Sequence, residues 1–394
     1  MSANFIVMRI GARNDESSVA LTQELDRRTQ RALQASREHL NVVDQHALDA
    51  LDRNVPRVAV VFCREDMSTA ESGAINPEIV AIKKCITRGI PVIPVVRDLT
   101  QFGQEAPQEI REFNGFQLAD TQDIPELAGL VLELLGLQRA KRKIFISYAR
   151  VDGGAMAQQL HEAFTARWYS VFLDTVSIRP GAVFQQNLKQ ELADSDVVVL
   201  LNSPTAMGRP YVKEEIAFPN SANVGGIQVV WAGRPPAIEG SLFMPYPLRD
   251  EDIVSEEKNG KSLKPEAILT ILRRVADLRT ALQEQREDEL LRPIEAYAQS
   301  KRFDAVPYLG RHIELREQHG ARRVRLDLAL GVPTSRDLER ALRNARPRPP
   351  EGGGRLVYDP VGIAKPQLTH LRYLSKRLKL DSFDPQTALQ WNLL

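Results

Sequence analysis

Tyr211 and Glu215 stand four residues apart in the segment YVKEEI, so a helix there carries the ring and the carboxylate on one face. The apolar run from Asp196 to Leu201 (DVVVLL) reads as a buried strand, and the chain leaving it emerges at the carboxyl edge of a sheet. Open α/β sheets bind ligands at that edge. The loop Ser147 to Gly153, carrying Ser147, Tyr148 and Arg150, opens onto the same edge, as does the loop after Asp174 with Arg179. A carboxylate, an aromatic ring, two arginines and small residues therefore converge on one cleft. Such a set suits glycosidic cleavage of a dinucleotide. Nicotinamide carries positive charge on its ring nitrogen and leaves readily, so the protein must chiefly stabilise an oxocarbenium-like ribose, which a carboxylate does electrostatically. The same carboxylate can hydrogen-bond the ribose hydroxyls or guide the incoming water. Glu214 is the neighbouring decoy, turned about 100° round the helix.

The elements that must position these groups follow from hydrophobic period. Asn4 to Ile10, His39 to Val43, Arg57 to Cys63 and Ile90 to Val96 read as strands, with helices after the first and over Pro77 to Thr87. Pro107 to Phe116 and a helix from Ile124 to Leu135 complete a first domain. The alternation then restarts with a strand Lys143 to Ser147, a helix Ala155 to Thr165 and a strand Ser170 to Leu173. A helix Phe184 to Ala193, the strand Asp196 to Leu201, a helix Tyr211 to Phe218, a strand Ile227 to Trp231 and a long helix Pro265 to Gln283 follow. Apolar strands alternating with helices imply parallel sheets covered on both faces. The fold class predicted is α/β: two flavodoxin-like parallel-sheet domains in tandem, followed by a mainly helical C-terminal region. Its divisions are 1–137, 141–283, a helical stretch 284–345, a flexible Pro/Gly linker 346–354 and a tail 355–394.

Composition narrows the classes. With 394 residues, 43% apolar and 26% charged, the chain suits two or three soluble domains. Its 52 basic residues balance 51 acidic ones to a net charge of +1, so no global field favours nucleic acid or an anionic membrane. Cys63 and Cys85 lie in apolar segments without CxxC spacing and read as buried free thiols in a reducing compartment. The six histidines form no cluster with thiols or carboxylates, so a metal site is not expected. The N-terminus lacks a secretion-signal pattern and no apolar run spans a bilayer, which points to a cytoplasmic protein.

Three segments together resemble the TIR (Toll/interleukin-receptor) family in its NAD-cleaving form. They are KIFISYAR at Lys143 to Arg150, VFLDTVSIRPG at Val171 to Gly181, and LLNSPTAM followed by YVKEEI across Leu200 to Ile216. The resemblance covers residues from about Lys141 to about Gln283. It implies that Glu215 is the catalytic carboxylate and that Tyr211 lines the nicotinamide site. It further implies that Asp174 and Phe184 stand near the ligand and that Arg150 contacts phosphate or ribose. NAD+ is then substrate, with no cofactor required. Plainer roles stand beside these: Asp174 also suits a turn cap, Phe184 a core position and Arg150 a surface charge. The first domain departs from the pattern. Glu78 falls where the carboxylate belongs, yet position 74 is Ala74, and only Gln45 separates the second strand from the next helical segment. It reads as a degenerate TIR-like partner.

The resemblance implies an NAD+ glycohydrolase releasing nicotinamide and linear or cyclic ADP-ribose, in the manner of toxic effectors of bacterial antiphage defence. Self-association through TIR domains and a sensor or activating partner are expected, with no membrane and no nucleic acid indicated. The basic run Arg372 to Lys379 offers contacts to nucleic acid, but a solvated helix face is the preferred reading. A non-catalytic adaptor acting by TIR–TIR association is the competing reading, and Glu215 discriminates, since an adaptor has no use for it. A nucleoside deoxyribosyltransferase-like enzyme is a third, opposed by the Arg179-Pro180-Gly181 loop.

Overall fold

The structure is a computed structural model, describing residues 4–11, 16–36, 38–50, 55–68, 76–173, 184–206, 224–237, 243–256, 260–345 and 354–393. Two units divide the chain: Met1–Ala140 with Val306–Arg311, and Lys141–Ala305 with His312–Leu394.

In the first unit the chain runs β1 (Asn4–Ile10), α1 (Glu16–Ser36), β2 (His39–Asp44), β3 (Arg57–Phe62), α2 (Pro77–Thr87), β4 (Val92–Val96), β5 (Phe116–Gln117) and α3 (Ile124–Leu134). The strands pair in parallel in the order β2-β1-β3-β4-β5. β3 and β4 are buried at every position, as strands covered on both faces must be. Leu21, Leu25, Leu127 and Val131 of α1 and α3 pack on one side, with Ala81, Ile82 and Cys85 of α2 in a separate cluster. α2 starts where Asn76 accepts the Glu78 N–H at 2.9 Å and Pro77 presets the first turn. After β2 a short helical turn, Gln45–Ala50, begins at once, leaving no room for a long second loop.

The second unit repeats the plan: β6 (Lys143–Ser147), α4 (Gly154–Ala166), β7 (Ser170–Leu173), α5 (Phe184–Asp194), β8 (Val197–Asn202), β9 (Gly226–Val230) and β10 (Met244–Pro247). These strands are again parallel, ordered β10-β9-β8-β6-β7. A hairpin of β11 (Ile253–Glu256) and β12 (Gly260–Leu263) leads into α6 (Pro265–Ser300). The helix foreseen at Tyr211 to Phe218 lies outside the described residues.

Beyond residue 283 the structure departs from the sequence reading. The boundary expected at 283/284 falls inside α6, a single helix of 36 residues, about 54 Å long. Its first half, through Ile271, Val275 and Leu282, packs in the core of the β6–β10 sheet. Its second half, through Leu291, Ile294 and Tyr297, packs on a further sheet. That sheet was not foreseen: β13 (Phe303–Tyr308), β14 (His312–Glu317), β15 (Arg323–Leu328), β16 (Arg355–Val357) and β17 (Asp381–Phe383), in that order. β14 and β15 are antiparallel, whereas β15, β16 and β17 run parallel through α7 (Ser335–Ala345) and α8 (Lys365–Leu378). Helices are present, as the sequence predicts, but they flank strands. The apolar tail closes the core, with Trp391 5.5 Å from the Tyr297 ring. The linker expected at 346–354 lies outside the described residues up to position 353.

At the amino edge of the β6–β8 pair, one carboxylate joins three segments. Asp196 precedes β8, accepts the Lys143 N–H at 3.3 Å and pairs with Arg279 of α6 at 2.8 Å, with side-chain exposures of 0% and 5%. Nearby, Lys143 pairs with Asp194 at 2.9 Å and with Glu191 at 2.6 Å. A buried ion broken from one side leaves its partner's charge stranded in low dielectric. Asp196→Ala is therefore expected to destabilise the second unit by about 3–5 kcal/mol in urea unfolding. Arg343→Ala, which breaks an exposed pair with Glu339, should cost under about 0.5 kcal/mol. The two thiols are free; Cys85 is buried and Cys63 half-buried. Burial pushes the Cys63 thiol up to about 12 and that of Cys85 to about 11. Since the thiolate is the reactive form, both should react slowly with a disulfide reagent at neutral pH and rapidly once denaturant is added.

Candidate functional site

The order β10-β9-β8-β6-β7 sends the chain from β6 outward to β7 on one side, then back across to β8 on the other. The loops leaving β6 and β8 consequently part at the carboxyl edge, and the gap between them is where such sheets accept ligands. Asp152, in the loop after β6, ties the two loops together. Its Oδ1 accepts the Ser203 hydroxyl at 2.6 Å and the Thr205 hydroxyl at 2.8 Å, while its Oδ2 accepts the Thr205 N–H at 2.9 Å. Behind them, Asn202 donates to the buried Gln228 of β9 at 2.9 Å, and Gln228 in turn accepts the Ala237 N–H at 2.5 Å. The Asn202 amide nitrogen and the Gln228 side chain are matched to partners there, while Asn202 Oδ1 is buried without one among the described residues.

Beside this tie lies a cleft of about 390 Å³ lined by Arg150, Asp152, Pro204, Trp231 and Lys261. The N-terminus of α4, at Gly154 and Ala155, forms part of its wall. Gly153 starts that helix without a side-chain cap, so its first N–H groups remain available. Lys261 of the β11–β12 hairpin sits 5.8 Å from the centre of the Trp231 ring. Two cations and a helix start outnumber the one carboxylate of the lining, Asp152, whose oxygens accept from Ser203 and Thr205, and the balance suits a phosphate-bearing ligand.

Of the residues singled out from sequence, Arg150 is exposed and lines this cleft. Ser147 ends β6 and is buried, with 1% exposure, and Tyr148 packs partly buried on the core of the sheet. Phe184 is the first residue of α5. Glu215, Tyr211, Asp174 and Arg179 lie outside the described residues, as does the decoy Glu214. The sequence reading missed Asp152, Trp231 and Lys261. Asp152 was legible in principle, as an acid two residues beyond Arg150 and just before a Gly-Gly pair. Lys261 was not, because the hairpin carrying it has no strong strand pattern. Among the described residues no cluster of histidines, cysteines and carboxylates could hold a metal ion.

The corresponding edge of the first unit is occupied by protein. Gly11 follows β1 with φ +76°, and a Cβ there would stand 2.7 Å from the Phe62 carbonyl oxygen. Arg64, just after β3, donates to the Gly11 carbonyl at 2.6 Å and to both oxygens of Glu78 at 3.0 and 2.9 Å. The guanidinium thus spans the gap between the two loops and consumes the Glu78 carboxylate in a bidentate pair.

A family model described as TIR domain matches residues 144–230, from β6 to the end of β9. The chain carries a TIR domain. No curated protein matches the chain. Similar solved structures include a tagatose-6-phosphate ketose/aldose isomerase from Escherichia coli, 11% identical over 72% of this chain and 81% of that one, at a TM-score of 0.20. They also include a carbohydrate transporter from Acidothermus cellulolyticus 11B, 14% identical over 59% and 75%, at 0.18. Proximal thread matrix protein 1 of the mussel byssus is 11% identical over 71% and 96%, at 0.23. Likeness at those TM-scores bears on neither fold nor function.

The Asp152 tie can be tested by itself. Asp152→Ala removes three hydrogen bonds and strands the hydroxyl of Ser203, a residue with 0% exposure. The TIR domain should lose about 1–3 kcal/mol in a denaturant titration.

Proposed function

We propose that the TIR domain is an NAD+ glycohydrolase that cleaves the bond between nicotinamide and ribose. The observation carrying this reading is the electropositive cleft at the carboxyl edge between β6 and β8, with Arg150 and Lys261 on its wall. Phosphates of a dinucleotide match those two cations and the uncapped start of α4. Glu215 supplies the carboxylate in this proposal. Placed beside the ribose, it stabilises the developing oxocarbenium charge and accepts hydrogen bonds from the ribose hydroxyls or from the attacking water. Tyr211, four residues earlier in the sequence, offers its ring to nicotinamide in the same proposal. The family match over residues 144–230 supports the reading, because it covers the strands that flank the cleft.

The first unit would contribute no second active site. Its carboxylate at the equivalent position, Glu78, is held by Arg64, and the edge that would admit a ligand is bridged. A role in assembly or regulation follows for that unit. A toxic effector of bacterial antiphage defence, cytoplasmic and switched on by self-association, is the setting we propose.

Incubating the full chain with NAD+ at concentrations that favour association, and following nicotinamide by chromatography, tests the proposal. Release is expected. Glu215→Gln should lower turnover by about 10²-fold or more, while Glu78→Ala should leave it nearly unchanged. Absence of nicotinamide from the wild-type protein, or equal losses in the two variants, would overturn the assignment and favour a TIR adaptor instead.

A further inference from the structure

α8 carries a charge pattern that neither the TIR domain nor the packing of the last sheet explains. Residues 360–380 contain no aspartate or glutamate, while Lys365, Arg372, Lys376, Arg377 and Lys379 are all exposed. None of these five cations pairs with a carboxylate among the described residues. In α7, by contrast, Arg340 and Arg343 pair with Asp337 and Glu339. The packed side of α8 is occupied by Leu371, with Leu368 and Leu374 beside it. Lys365, Thr369, Arg372 and Lys376 follow one another at helical spacing along the outer side, a stripe about 17 Å long. The helix dipole accounts for basic residues in the last turn, such as Lys376 and Arg377, but it opposes Lys365 in the first.

An aromatic ring flanks the stripe, about 100° round the helix from Arg372. Tyr373 is 55% exposed, and the Arg377 guanidinium lies 5.5 Å from its ring centre. Arg377 meets one side of this ring, and the ring's exposure leaves area on which a planar group can stack. Cations spaced along a groove or ridge, interleaved with an exposed ring, are what a flexible polyanion with flat bases requires. The phosphates meet the cations, and a base stacks on the tyrosine.

The geometry points to α8 as a binding surface for single-stranded nucleic acid, with Lys365, Arg372 and Lys376 holding phosphates and Tyr373 stacking a base. The chain's overall charge of +1 makes this a local property and not a general attraction to polyanions. It stands independently of NAD+ cleavage, since no residue of the cleft takes part. α8 belongs to the same unit as the TIR domain.

The test is fluorescence anisotropy of the full chain with fluorescein-labelled dT20 at about 50 mM salt, with rU20, a 20-bp duplex and phosphatidylserine vesicles as competitors. Binding to single strands is expected, the dT20 and rU20 arms telling DNA from RNA. The slope of log K against log salt should be about −2, from the three phosphates at about −0.7 each. The triple variant Lys365→Glu/Arg372→Glu/Lys376→Glu should lose at least about tenfold. Tyr373→Ala should lose about fivefold or more on single strands only, the effect of one stacked base. Should circular dichroism show the triple variant misfolded, Tyr373→Ala and Arg372→Gln carry the test. No binding, binding indifferent to these variants, or preference for duplex or vesicle would overturn the proposal.

Discussion

Asp196 is the junction on which the second unit is built, because a carboxylate with 0% exposure must find its partners inside the protein. Those partners come from distant parts of the chain: the first residue of β6, and Arg279 of α6, 83 residues beyond Asp196. Meeting them sets the depth of α6 against the sheet. Gly225 follows from the same constraint, since a Cβ there would stand 2.2 Å from Leu282 on that helix. Because α6 runs on to Ser300 and carries the core of the last sheet, its anchorage reaches far beyond the TIR domain.

The two edges of the TIR sheet divide the work. The amino edge holds charges in buried pairs, where they order the strands and are closed to water. The carboxyl edge carries Arg150 and Lys261 on the wall of the cleft, with the β6 and β8 loops joined by Asp152. A ligand site needs charged groups that have not been spent on protein partners. The first unit shows the alternative. At the same place in the topology, Arg64 satisfies a carbonyl and a carboxylate at once, and the charges there serve stability. Among the described residues each carboxyl edge is thus bridged by one side chain, Asp152 in the TIR domain and Arg64 in the first unit, and the Asp152 bridge borders a cleft that carries Arg150 and Lys261.

Strands buried on both faces were the most legible part of the chain. RVAVVF, VVVLLN and KIFIS are continuous apolar runs, and each forms the expected strand. The last sheet was hidden for the opposite reason. β14 and β15, HIELRE and RVRLDL, do alternate apolar and polar residues at a strand's period of two, but they are rich in Arg and Glu, which favour helices in isolation, and the sequence reading followed that propensity. Their pairing is a tertiary fact, and local propensity does not report it. The end of α6 was obscured similarly: Pro293 and a dense run of charges suggest a break, yet the helix continues because both halves have a sheet to pack on.

Sequence alone determined the TIR resemblance, the two parallel sheets, and the residue types that could serve a dinucleotide, because these depend on local period and on motifs of fixed spacing. Arg150 was found that way. Only the tertiary structure decided that Asp152 joins the β6 and β8 loops, that Trp231 and Lys261 share the cleft, and that Arg64 consumes Glu78. Each of those facts brings together residues from separate segments. Which charges are paired and which are left for a ligand depends on distances across the fold, and no one-dimensional pattern encodes them.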